Sequence, residues 1–451
     1  MELHELSISQ ASQRISKGTL SSLDLADALL KQISRFEKYL NAWVTIDEKQ
    51  VIKDAKNLDI ELANHGPRSP IHGIPIGLKD IYYTNGMRTT ACSIINSDMI
   101  PTFDATVTRK LKEAGAIILG KTVTTEFANA DPSKTINPWN SNHTPGGSSS
   151  GSAVAVASLM CPAAMGSQTG GSIIRPASYN GVVGLKPTFG RISCYGVIPV
   201  SWSLDTLGPI TRSVQDAAII LGLISGYDSK DPSTLPQSKC DEFEYAPEAI
   251  KPPKIGVIQN FLDSSNQHVK DHTEKVINIL SKAGAHVELI RMPNSYEFAE
   301  GIHSTIMDTE TAEYHKNTFK IRPNDYGPKL RERIKKGLLT SGTEYSNAQR
   351  LRKIYNHDID LLASQWDILL TPSTDSTAPK DLTTTGNPWF QSPWTLSGVP
   401  TLTIPSGLSP NTNLPLGIQL ISKMFNEQQL ISSGLWCEKV LNLQIAPQLK
   451  Y

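Results

Sequence analysis

Two hydrophobic patterns alternate along this chain: apolar residues at helical spacing, and short unbroken apolar runs closed by glycine or proline. After Leu20, the pair Ser21 and Ser22 precedes apolar Ala26, Leu29, Leu30 and Ile33. That is an N-cap followed by one helix face, so the chain opens with a helical part over residues 1–70. Gly73 to Leu78 is an apolar run between glycines, Val107 to Glu113 is helical in pattern, and Ala116 to Leu119 predicts a buried strand ended by Gly120. The small-apolar run from Ala153 to Met165, interrupted by Ser158 and Pro162, reads as a buried helix too short to span a bilayer.

A second set begins at Lys254: strand Ile255 to Ile258, amphipathic helix Val276 to Lys282 and strand Val287 to Ile290, a βαβ-like unit. Residues 292–364 are the most polar and most helical, whereas Asp367 to Leu370 and Leu402 to Ile404 return to strand-like runs. This alternation argues for an α/β sheet with helices on its faces. The strands before and after 292–364 then share one sheet, with that stretch as a helical insert over it. No fixed-period repeat or low-complexity linker divides the chain, so one domain over residues 1–451 is expected, with residues 71–215 as its catalytic core.

Charge and cysteine usage narrow the partners. Lysine plus arginine equals aspartate plus glutamate at 43 each, so no global field draws the chain to nucleic acid or to an anionic membrane. The expected partner is a small molecule, with no nucleic acid and no membrane; a homodimer is compatible with the balance. Cys92, Cys161, Cys194, Cys240 and Cys437 are scattered, odd in number and without a CxxC pair, so neither a zinc site nor a disulfide framework is encoded. They read as reduced thiols of a cytoplasmic protein. The start, Met1 to Glu5, has neither a basic n-region nor an apolar h-region and does not read as a secretory signal. No cluster of ligands at metal-site spacing is present, so no metal and no cofactor is expected.

Three glycine-rich segments carry candidate chemistry. Gly115 to Thr122 matches the phosphate-loop pattern G-x-x-x-x-G-K-[ST], but its central residues are Ala-Ile-Ile-Leu, a strand whose N–H groups belong to a sheet rather than to a phosphate. Gly147 to Gly151 matches the nucleophile-elbow pattern G-x-S-x-G around Ser149. The polar, proline-containing residues 141–146 before it cannot be the buried strand that an elbow requires. The third is Gly166 to Pro176, where Ser172 follows Gly170 and Gly171. Glycines let a substrate approach closely and let backbone N–H groups converge on one point, an oxyanion-hole composition. A lone Gly-Gly-Ser is most often an ordinary turn, yet two neighbours change the reading. Ser148 lies one small-residue helix upstream, and Lys79 ends the run containing Ile74, Ile76 and Leu78, where desolvation removes a lysine proton near neutral pH.

These segments resemble the amidase signature family. The matching pieces are Gly73 to Asp80, Asp104 to Val107 with Gly115 to Thr122, Asn137 to Asn140 with Pro145 to Ser152, and Gly170 to Pro176. Gly181 to Thr188 and Asp205 to Pro209 continue the likeness, which Gly398 to Pro400 and Pro415 to Gln419 extend towards the C-terminus. The resemblance implies a single α/β domain with a central mixed β-sheet flanked by helices on both faces. It also implies an amidase acting on a small amide, with Ser172 as nucleophile, Ser148 as bridging serine after a cis peptide at Gly147, and Lys79 as base. Thr169, Gly170, Gly171 and Ser172 would hold the oxyanion. Gln168 stands where many members carry Asp, and Asn180 where many carry Cys, which bears on substrate preference more than on the relay.

His143 and His72 lie near the motifs as rival bases; Asp80 and Arg175 read as structural. Trp389, Phe390 and Trp394 line an acyl pocket or pack the core. Within the family, the alternative to a free-standing amidase is the glutaminase (A-type) component of a tRNA-dependent amidotransferase. A non-catalytic scaffold member would have lost Lys79, Ser148 or Ser172, and all three are present.

Overall fold

The computed structural model describes residues 2–236 and 251–449, so Met1 and Cys240 lie outside the described residues. Its strands are β1 (Trp43–Ile46), β2 (Pro75–Lys79), β3 (Ile117–Thr122), β4 (Ala163–Gln168), β5 (Val183–Lys186) and β6 (Thr206–Thr211). They continue as β7 (Lys254–Ile258), β8 (His286–Ile290), β9 (Ile368–Pro372), β10 (Thr401–Leu408) and β11 (Pro415–Ile421). Together they make one 11-stranded sheet in the order β1-β3-β2-β4-β6-β5-β10-β11-β9-β7-β8. Parallel pairing joins β3, β2 and β4 towards one end and β9, β7 and β8 at the other, with antiparallel pairs between them and at the β1 edge, so the sheet is mixed.

The sheet is covered on both faces, and strand alternation assigns residues to each. Ile117 and Leu119 of β3 join the cluster built with Ala26, Ile33 and Val154, whereas Ile118 joins the larger cluster on the opposite side. The expected single-domain α/β fold is therefore present. Strands β7 and β8 precede residues 292–364, and β9 to β11 follow them, in the same sheet. Between them stand the helices Ala299–Ile321, Pro328–Leu339 and Gly342–Ala363. Ser21 caps the helix Ser22–Leu40 by accepting from Asp24 N–H, as its position before the apolar face implies.

Two expectations need correction. The run Ala153 to Met165 is not one helix: helix Ser150–Ala157 stops, Leu159 takes φ 60°, and β4 begins at Ala163. Strand β4 lies between β2 and β6 with every residue buried, so it lacks the polar alternation that distinguishes a strand from a helix core. Gly120 does not end β3, which continues to Thr122. A Cβ at Gly120 would overlap the carbonyl of Thr45, so this glycine marks the close approach of edge strand β1. Among the described residues no helix is long and apolar enough to cross a membrane.

Candidate active site

Lys79 is the last residue of β2, whose Ile76 and Leu78 pack into one face of the core, so its side chain leaves on the other face. Its Nζ is fully buried and donates to Ser148 Oγ at 2.7 Å and to Ser167 Oγ at 2.8 Å. Burial pushes its pKa down to about 7, against the attraction of the Asp205 carboxylate. Ser148 follows a cis Gly147–Ser148 peptide. The Gly147 carbonyl accepts from Arg175 Nη2 at 2.8 Å, and the same nitrogen donates to Thr385 Oγ1 at 3.1 Å. Thr125 N–H holds the Ser148 carbonyl at 3.2 Å.

At the end of β4, Gln168 anchors the loop that carries Ser172. Its Oε1 accepts from the N–H groups of Ile173 at 2.9 Å and Ile174 at 3.0 Å, closing the start of the helix Ile174–Asn180, and its Nε2 donates to Thr395 Oγ1 at 3.1 Å. Thr169 Oγ1 donates to Asp205, which also accepts from Val200 N–H at 2.8 Å and Ser201 N–H at 3.1 Å. Burial raises the Asp205 pKa to about 6. The Thr169 carbonyl accepts from His303 Nε2 at 2.9 Å. Burial lowers the His303 pKa to about 4, so the imidazole is neutral at pH 7 with its proton on the nitrogen that faces the carbonyl. A Cβ on Gly171 would overlap Gln391 Oε1, which is why the residue before Ser172 has no side chain.

Ser172 is half-buried and lines a cleft of about 260 Å3 with Gly170, Gly171, Arg175, His303 and Trp389. Ser149 N–H donates to the Ser172 carbonyl at 3.3 Å, joining the two serine segments. Among the described residues the Ser148 and Ser172 hydroxyls are not hydrogen-bonded to each other. The folded chain thus brings Lys79, Ser148, Thr169, Gly170, Gly171 and Ser172 to one place.

The rival residues sit elsewhere or are otherwise engaged. His72 Nε2 bonds the Leu58 carbonyl at 3.0 Å and its Nδ1 accepts from Arg68 N–H at 3.3 Å, while His143 Nδ1 bonds the Ala378 carbonyl at 2.6 Å. The Ser149 hydroxyl pairs with the backbone of Ser167 in place of facing the cleft. Lys121, of the phosphate-loop match, is buried at the end of β3 against the Tyr82 carbonyl. Asp80 accepts from Thr90 and Cys92 N–H groups and orders that loop. Asn180 Nδ2 donates to the carbonyls of Pro145 and Pro176, each at 2.8 Å, so it ties the Gly146–Ser148 turn to its neighbouring helix.

The aromatic group divides. Phe390 and Trp394 pack in the core on Phe261, with centroids 5.2 and 5.6 Å away, whereas Trp389 reaches the cleft and donates to Tyr296 at 3.0 Å. Ser167, Asp205, His303 and Thr395 were not singled out from the sequence as parts of a site. Ser167 and Asp205 fall inside the quoted motif segments, but His303 lies in a polar helix with no local signal. Among the described residues no group of three or more His, Cys, Asp or Glu side chains is arranged to hold a metal. Cys92, Cys161, Cys194 and Cys437 are free thiols.

The A-type component of the glutamyl-tRNA(Gln) amidotransferase of Halothermothrix orenii is 34% identical over 482 residues, covering 98% of this chain and 99% of its own. The solved peptide amidase of Stenotrophomonas maltophilia superposes with a TM-score of 0.86 at 30% identity, covering 99% of each chain. The solved A-type component of the glutamyl-tRNA(Gln) amidotransferase of Thermotoga maritima does so with a TM-score of 0.82 at 31% identity, over 100% of this chain and 99% of that one. These relatives overturn the expectation of a small-molecule partner without nucleic acid that was drawn from the charge balance, since two of them are named as components of a tRNA amidotransferase. Net charge misleads because it sums over the whole surface, whereas contacts are made through local patches. A family model for Amidase matches residues 24–431, and the chain therefore belongs to the amidase family, whose enzymes act on C–N bonds.

Proposed function

We propose that this chain hydrolyses the C–N bond of a carboxylic amide through Ser172, Ser148 and Lys79, by way of an acyl-enzyme. The observation that carries the reading is a fully buried lysine donating to Ser148 beside a serine that opens on a cleft. Neutral Lys79 takes the proton of Ser148 as Ser148 takes that of Ser172, whose Oγ bonds to the amide carbonyl carbon. Backbone N–H groups of Thr169, Gly170, Gly171 and Ser172 face the oxyanion. The C–N bond breaks as the proton returns through Ser148 to the leaving nitrogen, and water then releases the acid by the reverse path. Residues 71–215 supply the catalytic side chains in this scheme, and 292–364 form a helical insert whose Glu300, His303, Ser304 and Met307 reach the cleft.

A second reading, the A-type component of a tRNA-dependent amidotransferase, is favoured by the full-length likeness to proteins of that name. One experiment separates the two: release of ammonia from simple amides and from glutamine by the purified chain, with and without ATP, glutamyl-tRNA and added partner chains. Turnover of simple amides without ATP supports a free-standing hydrolase. Release from glutamine alone, raised by added partner chains, supports the second reading, and no release under any condition overturns both.

A further inference from the structure

In the loop before and at Ser172, four consecutive carbonyls each have an internal donor. Thr169 O accepts from His303 Nε2 at 2.9 Å and Gly170 O from Thr395 Oγ1 at 2.7 Å. Gly171 O accepts from Arg175 N–H at 2.9 Å, and Ser172 O from Ser149 N–H at 3.3 Å. Among the described residues no acceptor is paired with the N–H of Gly170, Gly171 or Ser172. In a trans peptide the carbonyl of one residue and the N–H of the next lie in one plane and point in opposite directions. Pinning a carbonyl therefore aims the N–H that follows it. The last two pins are backbone donors, but the first two are side chains from distant segments: the helix Ala299–Ile321 and the helix Ser392–Ser397.

We infer that His303 and the Gln168–Thr395 pair are positioning residues, which hold the Thr169 and Gly170 carbonyls so that the N–H groups of Gly170 and Gly171 face the oxyanion. This rests on Ser172 being the nucleophile. The pair accounts for glutamine at 168. A hydroxyl has one proton, and Thr395 directs it to Gly170 O at 2.7 Å, the Gln391 carbonyl lying farther at 3.4 Å, while accepting from Gln168 Nε2. A glutamate at 168, of the same length, keeps both contacts to Ile173 and Ile174 N–H but has no proton to donate. It turns the Thr395 hydroxyl towards itself and frees the Gly170 peptide. His303 acts on the neighbouring peptide and contributes a neutral donor within the cleft wall.

The test uses the full chain and a fluorophosphonate probe, which forms an Oγ–P bond at Ser172 with loss of fluoride. The saturating labelling rate and the half-saturating concentration are measured for the wild type, His303→Leu, His303→Gln, Thr395→Val and Gln168→Glu. Melting temperatures identify any variant that fails to fold. Misaiming one oxyanion donor is expected to lower the saturating rate about 10- to 100-fold in His303→Leu, Thr395→Val and Gln168→Glu, with half-saturation shifted by less than about 3-fold. His303→Gln, whose amide also donates, restores most of the rate. Wild-type saturating rates in the folded variants overturn the inference, and so does a loss seen only in half-saturation or one that His303→Gln does not rescue. A wild type that the probe does not label overturns the Ser172 reading itself, which keeps the two failures distinct.

Discussion

At the scale of single residues, the proposed chemistry turns on how the fold treats one amine. Lys79 is surrounded by β2, β4 and the cis turn, and desolvation lowers its pKa to about 7 while the Asp205 carboxylate partly opposes the shift. A lysine base works in its neutral form, so acylation should rise as pH passes through about 7 and fall below it as Lys79 takes up a proton. Single-turnover acylation against pH checks this: the limb should survive His143→Ala and disappear with Lys79→Met, and persistence in Lys79→Met would assign the base elsewhere. Ser172→Ala should abolish turnover in a folded protein, because the covalent step is lost. Asp205→Asn makes a sharper test. Removing a negative charge that favours protonated Lys79 should move the limb to lower pH, with the Thr169 contact still available to the amide oxygen. An unmoved limb would mean that Asp205 acts only through Thr169.

At the scale of elements, the parts legible in the sequence were those with a period or a local motif. The helix face after Ser21, the strands of the unit from Ile255 to Ile290 and the helices over 292–364 all carry apolar spacing that burial turns into structure. The glycine-rich turns were legible as well, because only glycine fits where backbone approaches backbone. Strand β4 was not, since a strand buried on both faces loses its alternation and its small residues suit a helix equally. His303 was not legible either: helix Ala299–Ile321 buries several polar residues, and nothing local shows that one of them meets Thr169, 134 positions away. Gly120 shows how a correct residue can receive a wrong role, because its spacing requirement comes from β1 and not from a turn. Gly120→Ala should therefore pry β1 from β3 and lower stability by about 1–3 kcal/mol, as overpacking of a close contact does. Denaturant unfolding measures it, and a change below about 0.5 kcal/mol, the range of a neutral surface substitution, would show that β1 shifts freely.

For the whole molecule, the buried titratable groups tie stability to the pH range in which the proposed lysine base titrates. Burial raises Glu37 and Glu438 to about 7 and Asp205 to about 6, so the folded chain holds protons that the unfolded chain releases. Stability from these groups is present below the unfolded carboxylate values and is lost as pH rises through about 7. Burial lowers Lys79 and Lys186 to about 7 and Lys121 to about 8, from an ordinary 10.5. The sign is opposite: the unfolded chain binds more protons above pH 7, so a penalty present at low pH is relieved as pH rises. Below about pH 6.5 His303 and His315, lowered by burial to about 4, oppose the carboxylates. Above pH 7 that opposition is gone and the lysines act, so the melting temperature should climb from pH 7 towards pH 9, above which buried Cys92, Cys161 and Cys437, each held at about 12, begin to oppose the trend. Lys186 is the lysine to test, because its Nζ donates to the Pro187 carbonyl at 2.8 Å and it stands outside the cleft. Lys186→Met should raise the melting temperature more at pH 7 than at pH 9 and flatten the climb between them, leaving the limb set by Lys79 where it was. A variant with the wild-type slope would show that Lys186 keeps its charge when folded, with the Glu427 carboxylate holding it against burial.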